Sequence, residues 1–292
     1  MIKADNYLQN TIREILFDGY LDKNPRARWA DGVPAHAKYV TQRVFKYDIL
    51  KDEFPITTLR NTALKGAFYD IEAIYIKQTN IIERMHPSIW SWWKDFVVED
   101  AKFLGVTERS IGQTYGHTVK RYNLVNKLLE EMEKNPFGRR HMINLWQEEQ
   151  MKEDLKALVP CAYQTNWNIR ELKSGTKLVD LTLHQRSQDF CMTASINPAQ
   201  YVMFGMMVCG HLTYTTGVEH LLANFMHIVE NCHIYDRHFD AAIEILDRKP
   251  IFEQPIIRLK EAKYFYEYTW DDFEITLPDG IKPLSTKLEL AI

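Results

Sequence analysis

Gln185-Arg186-Ser187-Gln188-Asp189 is followed, eight positions after its aspartate, by Asn197-Pro198-Ala199-Gln200-Tyr201. The first run closes Lys177 to Gln185, a stretch that reads as a strand. The second opens Ala199 to Leu212, which is apolar nearly all round and reads as a buried helix. Asn197 reads as the capping side chain of that helix and Pro198 as its first helical position. Between strand and helix the chain carries an arginine, a serine, an aspartate and an asparagine. That is a polar, chemically capable connection between two apolar elements.

The segments on either side fill in an α+β pattern. Ala162 to Ile169 reads as a strand joined to Lys177–Gln185 by a turn at Ser174-Gly175. Tyr7 to Tyr20 and Thr58 to Gln78 have helical spacing, and Tyr122 to Lys134 has a clear apolar stripe. Asn24 to His36 holds two prolines and a glycine and reads as loop. Tyr39 to Tyr47, His141 to Trp146, Tyr264 to Tyr268 and Phe273 to Leu277 read as strands, and Asp236 to Asp247 as a helix. Helices and strands interleave without strict alternation, so the class is α+β. No repeat or linker divides the chain, and residues 1–292 read as one unit.

Composition excludes several classes. The 36 basic and 39 acidic residues give a formal charge of -3, so no overall basic field is present to hold a nucleic acid. The polar opening is unlike a signal peptide, and no apolar run is long enough for a membrane span. Four cysteines, Cys161, Cys191, Cys209 and Cys232, show neither a CxxC pair nor a zinc spacing. These features lead us to expect a reduced, cytoplasmic protein without a metal.

Cys161 gives the polar segments a chemical partner. A thiol with a pKa of about 8.5 is a poor nucleophile at neutral pH, and nearby guanidinium groups lower that pKa. The same guanidiniums bind phosphate in bidentate fashion. An asparagine donates and accepts at once, which suits the N3–H and O4 edge of uracil. His233 and Tyr235 offer hydrogen bonds to a sugar hydroxyl. Taken singly, each feature is ordinary packing, capping or surface charge.

As a set they resemble the thymidylate synthase superfamily. The QRS-x-D run with its asparagine matches the family signature, and Pro160-Cys161 resembles its nucleophile motif. Phe137-Gly138-Arg139-Arg140, Thr114-Tyr115-Gly116, Ile89-Trp90 with Trp93, and His233-Ile234-Tyr235 with His238 resemble further family motifs. Phe54-Pro55 and the tail Thr286 to Ile292 do so too. The likeness covers residues 38–292 and leaves 1–37 as a divergent helix and loop.

The resemblance implies a large mixed sheet with packed helices, and a dimer through the sheet face. It implies that Cys161 attacks C6 of a pyrimidine nucleotide and that 5,10-methylenetetrahydrofolate supplies a one-carbon unit to C5. Arg186 and Ser187 would grip the phosphate, beside Gln185, with Arg139 and Arg140 reaching in from a second subunit. Asn197 would read the base, His233 and Tyr235 would hold the sugar, and Tyr115 would help to remove the C5 proton. Trp90, Leu158, Asp189 and Ile292 would line the folate site. The intact set Cys161, Arg186, Asp189 and Asn197 speaks against a binding protein without catalysis.

Three departures bear on the reaction. Ala162 stands where synthases carry histidine. The synthase's catalytic glutamate falls on Asp70, with Glu72 as the alternative carboxylate. The loop arginine falls on Val33, with Arg26 and Arg28 as candidate replacements. Phage-type deoxycytidylate hydroxymethylase also lacks the histidine, and its segment resembles His233 to Phe239 more closely. These hints favour hydroxymethylation of dUMP in a viral DNA-modification setting. Trp90 and the tail favour thymidylate synthesis, and cytidylate methylation or hydroxymethylation is the remaining alternative.

Overall fold

The computed structural model describes residues 2–98, 108–150 and 158–292. Among the described residues, seven strands make one mixed sheet: β1 (Tyr20–Leu21), β2 (Ala37–Asp48), β3 (Met142–Asn144), β4 (Ala162–Glu171), β5 (Lys177–Gln185), β6 (Gln188–Asp189) and β7 (His220–Tyr235). Their order is β1-β2-β7-β5-β4-β3, with β6 also paired to β7. β5 and β7 run parallel, whereas β2 and β4 run against them. A separate antiparallel pair joins β8 (Ile256–Leu259) to β9 (Phe273–Thr276).

The helices are α1 (Lys3–Asp18), α2 (Leu64–Ile71), α3 (Trp90–Trp93), α4 (Gly116–Tyr122), α5 (Leu124–Lys134), α6 (Phe190–Thr193), α7 (Ile196–Thr216) and α8 (Phe239–Asp247). α7 is the crossover between the parallel strands β5 and β7, and it is buried as its composition requires. Val202, Met203, Phe204, Met207, Val208 and Leu212 have no exposed surface. Each such side chain stabilises the fold by about 1.5–3 kcal/mol. Phe204 meets Trp167 of β4 and Tyr75, which ties the helix to the sheet on one side and to the chain after α2 on the other.

This topology brings the chemistry to one edge of the sheet. β5 and β7 end there with Gln185 and Tyr235, and the antiparallel β2 and β4 begin there with Ala37 and Ala162. The loop before β2, the residue before β4 and the start of α7 therefore converge. Open sheets place ligands outside the carboxyl ends of parallel strands for the same reason.

Several elements depart from the sequence reading. The helix expected from Thr58 begins only at Leu64. Thr57 and Thr58 instead direct their hydroxyls to the buried Asp5 carboxylate, at 2.6 and 2.7 Å, and Thr58 N–H joins them at 2.8 Å. Such local side-chain bonds compete with a helical backbone. From Glu72 to Ile76 the chain winds as a π-helix.

Tyr264–Tyr268 is a 3-10 turn over Phe265–Glu267, not a strand. Its rings fix the turn: Phe265 is fully buried, and Tyr266 donates to Asn126 Oδ1 at 2.6 Å. β7 was absent from the sequence reading because polar residues interrupt its pattern. Each finds a partner inside the sheet: Asn224 donates to Asp180 at 2.7 Å, and His227 meets Gln185 at 2.9 Å.

Candidate active site

Cys161 sits half-buried immediately before β4, where a bulge between Ala162 and Gln164 alters the strand's register. Arg186, just past β5, grips this segment from the side. Its Nε donates to Pro160 O at 3.0 Å and its Nη2 to Val159 O at 2.8 Å. The same Nη2 points at Cys161 Sγ from 3.6 Å. Arg186 N–H also donates to Cys161 O at 2.9 Å, extending the sheet ladder by one bond. The guanidinium is thereby aimed by three acceptors on one short segment.

Tyr115 holds Cys161 from the other side, because Cys161 N–H donates to the phenol oxygen at 3.1 Å. Tyr115 has φ 47° and is buried, an uncommon conformation for an aromatic residue. The next residue must be Gly116: a Cβ there would lie 2.3 Å from Thr79 O. Strain at this position is the kind that a functional site retains.

The electrostatics correct one expectation. Guanidiniums were expected to lower the thiol's pKa. Burial instead pushes Cys161 above its ordinary value, and the charges of Arg186 and Arg26 only oppose that rise. Arg26 therefore belongs to this site. Its charge also bears on Tyr235, whose phenol burial pushes up to about 12. Arg28 turns away to Gly32 O at 3.2 Å, and Val33 is half exposed. Of the two candidate arginines left open by the sequence, Arg26 is the one whose charge reaches Cys161 and Tyr235.

Asn197 does not cap α7. The helix starts at Ile196, and the asparagine amide is free to enter a chain of side-chain bonds. Its Nδ2 donates to Gln200 Oε1 at 3.1 Å, and its Oδ1 accepts from Gln185 Nε2 at 3.2 Å. Gln200 in turn donates to Asp70 Oδ2 at 2.7 Å, and Trp93 Nε1 donates to Asp70 Oδ1 at 2.8 Å. Burial raises Asp70 to about 6, against the lowering effect of these two bonds. Glu72 stands elsewhere and pairs with Lys77 at 2.7 Å. Of the two candidate carboxylates, Asp70 joins the network.

At the far end Gln185 Oε1 faces His227 Nε2 at 2.9 Å, so His227 carries its proton on Nε2. Burial holds the His227 pKa near 3. An unfolded histidine titrates near 6.5, so the unfolded chain binds the extra proton first as pH falls. The His227 contribution to stability is therefore intact above about pH 6.5 and is lost as pH falls towards 3. Between about pH 7 and about pH 5 the parent should lose about 2 kcal/mol that a His227→Gln variant keeps. Denaturant titrations of both proteins at the two pH values measure this, and the opposite titration of Asp70 cancels in the comparison.

His233 and Tyr235 lie at the end of β7 with their rings 4.9 Å apart. His233 meets Asn231 Oδ1 at 3.1 Å, and burial lowers its pKa. Asp189 pairs with His233 in the sheet register, accepts Met192 N–H at 3.1 Å and faces His238 at 3.4 Å. Leu158 is half-buried, its carbonyl accepting from Thr114 at 3.0 Å. Ile292 pairs through both backbone groups with Arg28, at 2.6 and 2.9 Å. The tail thus closes against the loop that carries Arg26.

Other expected residues stand apart. Trp90 donates to Met85 O at 3.2 Å, while Trp93, one turn on, reaches Asp70 and packs on Tyr115 at 5.3 Å. Arg139 and Arg140 are exposed and have no side-chain partner among the described residues. Ser187 contributes its carbonyl to Gln185 Nε2 at 2.9 Å. Among the described residues, no group of three or more His, Cys, Asp or Glu is placed to hold a metal, and no helix is long and apolar enough to cross a membrane.

Trp93, Gln200 and His227 are the residues that sequence reasoning left without a role, whereas Arg26 was one of two candidates for the loop arginine. The tryptophan pair three positions apart was a usable signal for Trp93. Gln200 and His227 had none, because their positions follow from the α7 crossover and from β7.

Known proteins agree with this arrangement over its whole length. The family profile described as Thymidylate synthase matches residues 5–286. Thymidylate synthase of Lactococcus lactis subsp. cremoris is 37% identical over 298 residues, spanning 100% of both chains. That of Streptococcus thermophilus is 37% identical over 295 residues, again spanning 100% of both. The solved thermostable thymidylate synthase A from Bacillus subtilis superposes with a TM-score of 0.80 at 26% identity, covering 99% of each chain. Sheet, site and relatives lead to one conclusion: the chain belongs to the thymidylate synthase family, whose enzymes are one-carbon transferases that use 5,10-methylenetetrahydrofolate.

Proposed function

We propose that this chain converts dUMP to dTMP by reductive methylation. The observation that carries the site is the Cys161 sulfur 3.6 Å from a guanidinium already aimed by two carbonyls. The full-length relatives named above are thymidylate synthases, and this favours methylation over the hydroxymethylation suggested by Ala162 and the His233–Phe239 segment.

Arg186, Ser187 and Arg26 would hold the phosphate, and Asn197 the uracil edge. His233 and Tyr235 would bind the sugar. Cys161 adds to C6, which leaves C5 electron-rich. Once C5 carries the one-carbon unit, its proton leaves through water near Tyr115, and Cys161 departs when the product forms. Tyr115 stays protonated itself, because burial raises its pKa well above the ordinary value. It therefore orders water through its hydroxyl and is not itself the base.

The residues present fit a folate. Asp189 offers carboxylate oxygens to the N–H edge of a pterin, and Leu158 and Trp90 are partly buried apolar groups packed on the core. When bound, the folate supplies both the methylene carbon and the hydride and leaves as dihydrofolate. Arg139 and Arg140, exposed and unpaired among the described residues, would reach the phosphate of a partner subunit in a homodimer.

The test is to incubate the protein with dUMP and 5,10-methylenetetrahydrofolate. Dihydrofolate absorbance and nucleotide mass are followed together. One dihydrofolate per dTMP is the expected result. Nucleotide consumed without dihydrofolate, with a product heavier by a hydroxymethyl group, would move the assignment to hydroxymethylation.

A further inference from the structure

We propose that Gln200 selects the base by holding the Asn197 amide in one orientation, and that Asp70 gives Gln200 its own direction. The proposal rests on the reading of Asn197 as the residue that meets the pyrimidine edge.

The bonds have a polarity. Asp70 accepts from Trp93 Nε1 on one oxygen and from Gln200 Nε2 on the other, at 2.8 and 2.7 Å. An ionised carboxylate only accepts, so Gln200 must turn its NH2 towards Asp70 and its carbonyl away. That carbonyl then accepts from Asn197 Nδ2 at 3.1 Å. On the opposite side, Gln185 Nε2 donates to the Ser187 backbone carbonyl at 2.9 Å and to Asn197 Oδ1 at 3.2 Å. A backbone carbonyl also only accepts. Asn197 is therefore held between two anchors that agree on its orientation.

The capacity of the amide completes the argument. A carboxamide has two N–H donors and two carbonyl lone pairs. Gln200 takes one donor and Gln185 takes one lone pair. One donor and one lone pair remain, a set that complements O4 and N3–H of uracil. Cytosine presents the reverse pair. Asn197 could match cytosine only by turning over, which would set N–H against N–H at Gln185 and carbonyl against carbonyl at Gln200. An asparagine without these anchors can turn over to meet either base.

Asp70 makes the arrangement pH-dependent. The titratable groups facing it are the phenols of Tyr75, after α2, Tyr115, at the start of α4, and Tyr201, on α7. Burial raises all three, so they stay neutral. Asp70 itself titrates near 6. Below that value its carboxyl gains a proton to donate, and Gln200 is free to turn round. Preference for uracil should be greatest above about pH 6 and weaken below it.

The experiment measures nucleotide binding alone, with no folate, so it does not depend on whether the product is methylated or hydroxymethylated. Calorimetry with dUMP and dCMP is run on the parent, Gln200→Leu and Asp70→Asn at about pH 7.5 and about pH 5.5. The expected result is a dUMP preference in the parent that falls with pH. In Gln200→Leu the ratio should shrink roughly tenfold or more and lose its pH dependence. Asp70→Asn should act in the same direction, because a carboxamide there donates or accepts and imposes no polarity. If the leucine variant fails to fold, the asparagine variant decides. Equal loss of affinity for both nucleotides, or an unmoved ratio in a parent that prefers dUMP, overturns the role of Gln200 alone. A parent that binds neither nucleotide, or both equally, overturns the reading of Asn197 and this proposal with it.

Discussion

Replacing Cys161 with alanine should reduce turnover roughly 10⁴-fold or more, because a nucleophile has no substitute in covalent catalysis. The affinity for dUMP should change little. Arg186 is oriented by the carbonyls of Val159 and Pro160, and neither depends on the sulfur. Asn197 is oriented by Gln185 and Gln200, again without the sulfur. Single-turnover assays with dUMP and the folate measure the first effect, and calorimetric titration with dUMP the second. Turnover that survives in the alanine variant would remove Cys161 from the mechanism.

Arg186→Leu should be nearly as damaging, lowering kcat/KM roughly 10²–10³-fold. The guanidinium has two separate tasks. It fixes the segment Val159–Cys161 through two carbonyl bonds, and its charge opposes the burial that raises the thiol's pKa. Removing a nearby positive charge raises a thiol pKa further, since it takes away stabilisation of the thiolate. The pH profile of iodoacetamide inactivation reports this directly. In the variant that profile should move to higher pH. A lysine at 186 would restore charge without the planar fork and should recover the profile better than it recovers kcat/KM. If the inactivation profile stays where it is in the parent, the electrostatic half of this account is wrong.

How much of this was legible beforehand depended on the range of the interactions. Periodicity located α7 and β5, since an all-apolar helix and a strand closed by QRSQD are local signals. It overran α2, because Asp5, more than fifty residues upstream, draws the Thr58 hydroxyl and N–H out of the expected helix. It missed β7, because His227 and Asn224 look out of place until Gln185 and Asp180 lie beside them. At the site, Cys161, Arg186 and Asn197 were legible as motif residues. The choice of Asp70 over Glu72, and of Arg26 over Arg28, was not. The first depends on which carboxylate the fold buries against Trp93 and Gln200, the second on which arginine's charge reaches Cys161. The sign of the thiol shift was misread because burial cannot be weighed against charge without coordinates.

The pairing of β2 with β7 has a consequence for biosynthesis. Ala37 meets Tyr235, so a strand made early has no neighbour on that side until most of the chain has left the ribosome. Loop-closure entropy must be met before that long-range ladder forms, and such folds assemble slowly. During that interval β2 offers a bare row of backbone donors and acceptors to other nascent chains. Yield in a heterologous host should therefore depend on synthesis rate and growth temperature, and slower, cooler expression should favour the native protein over inclusion bodies.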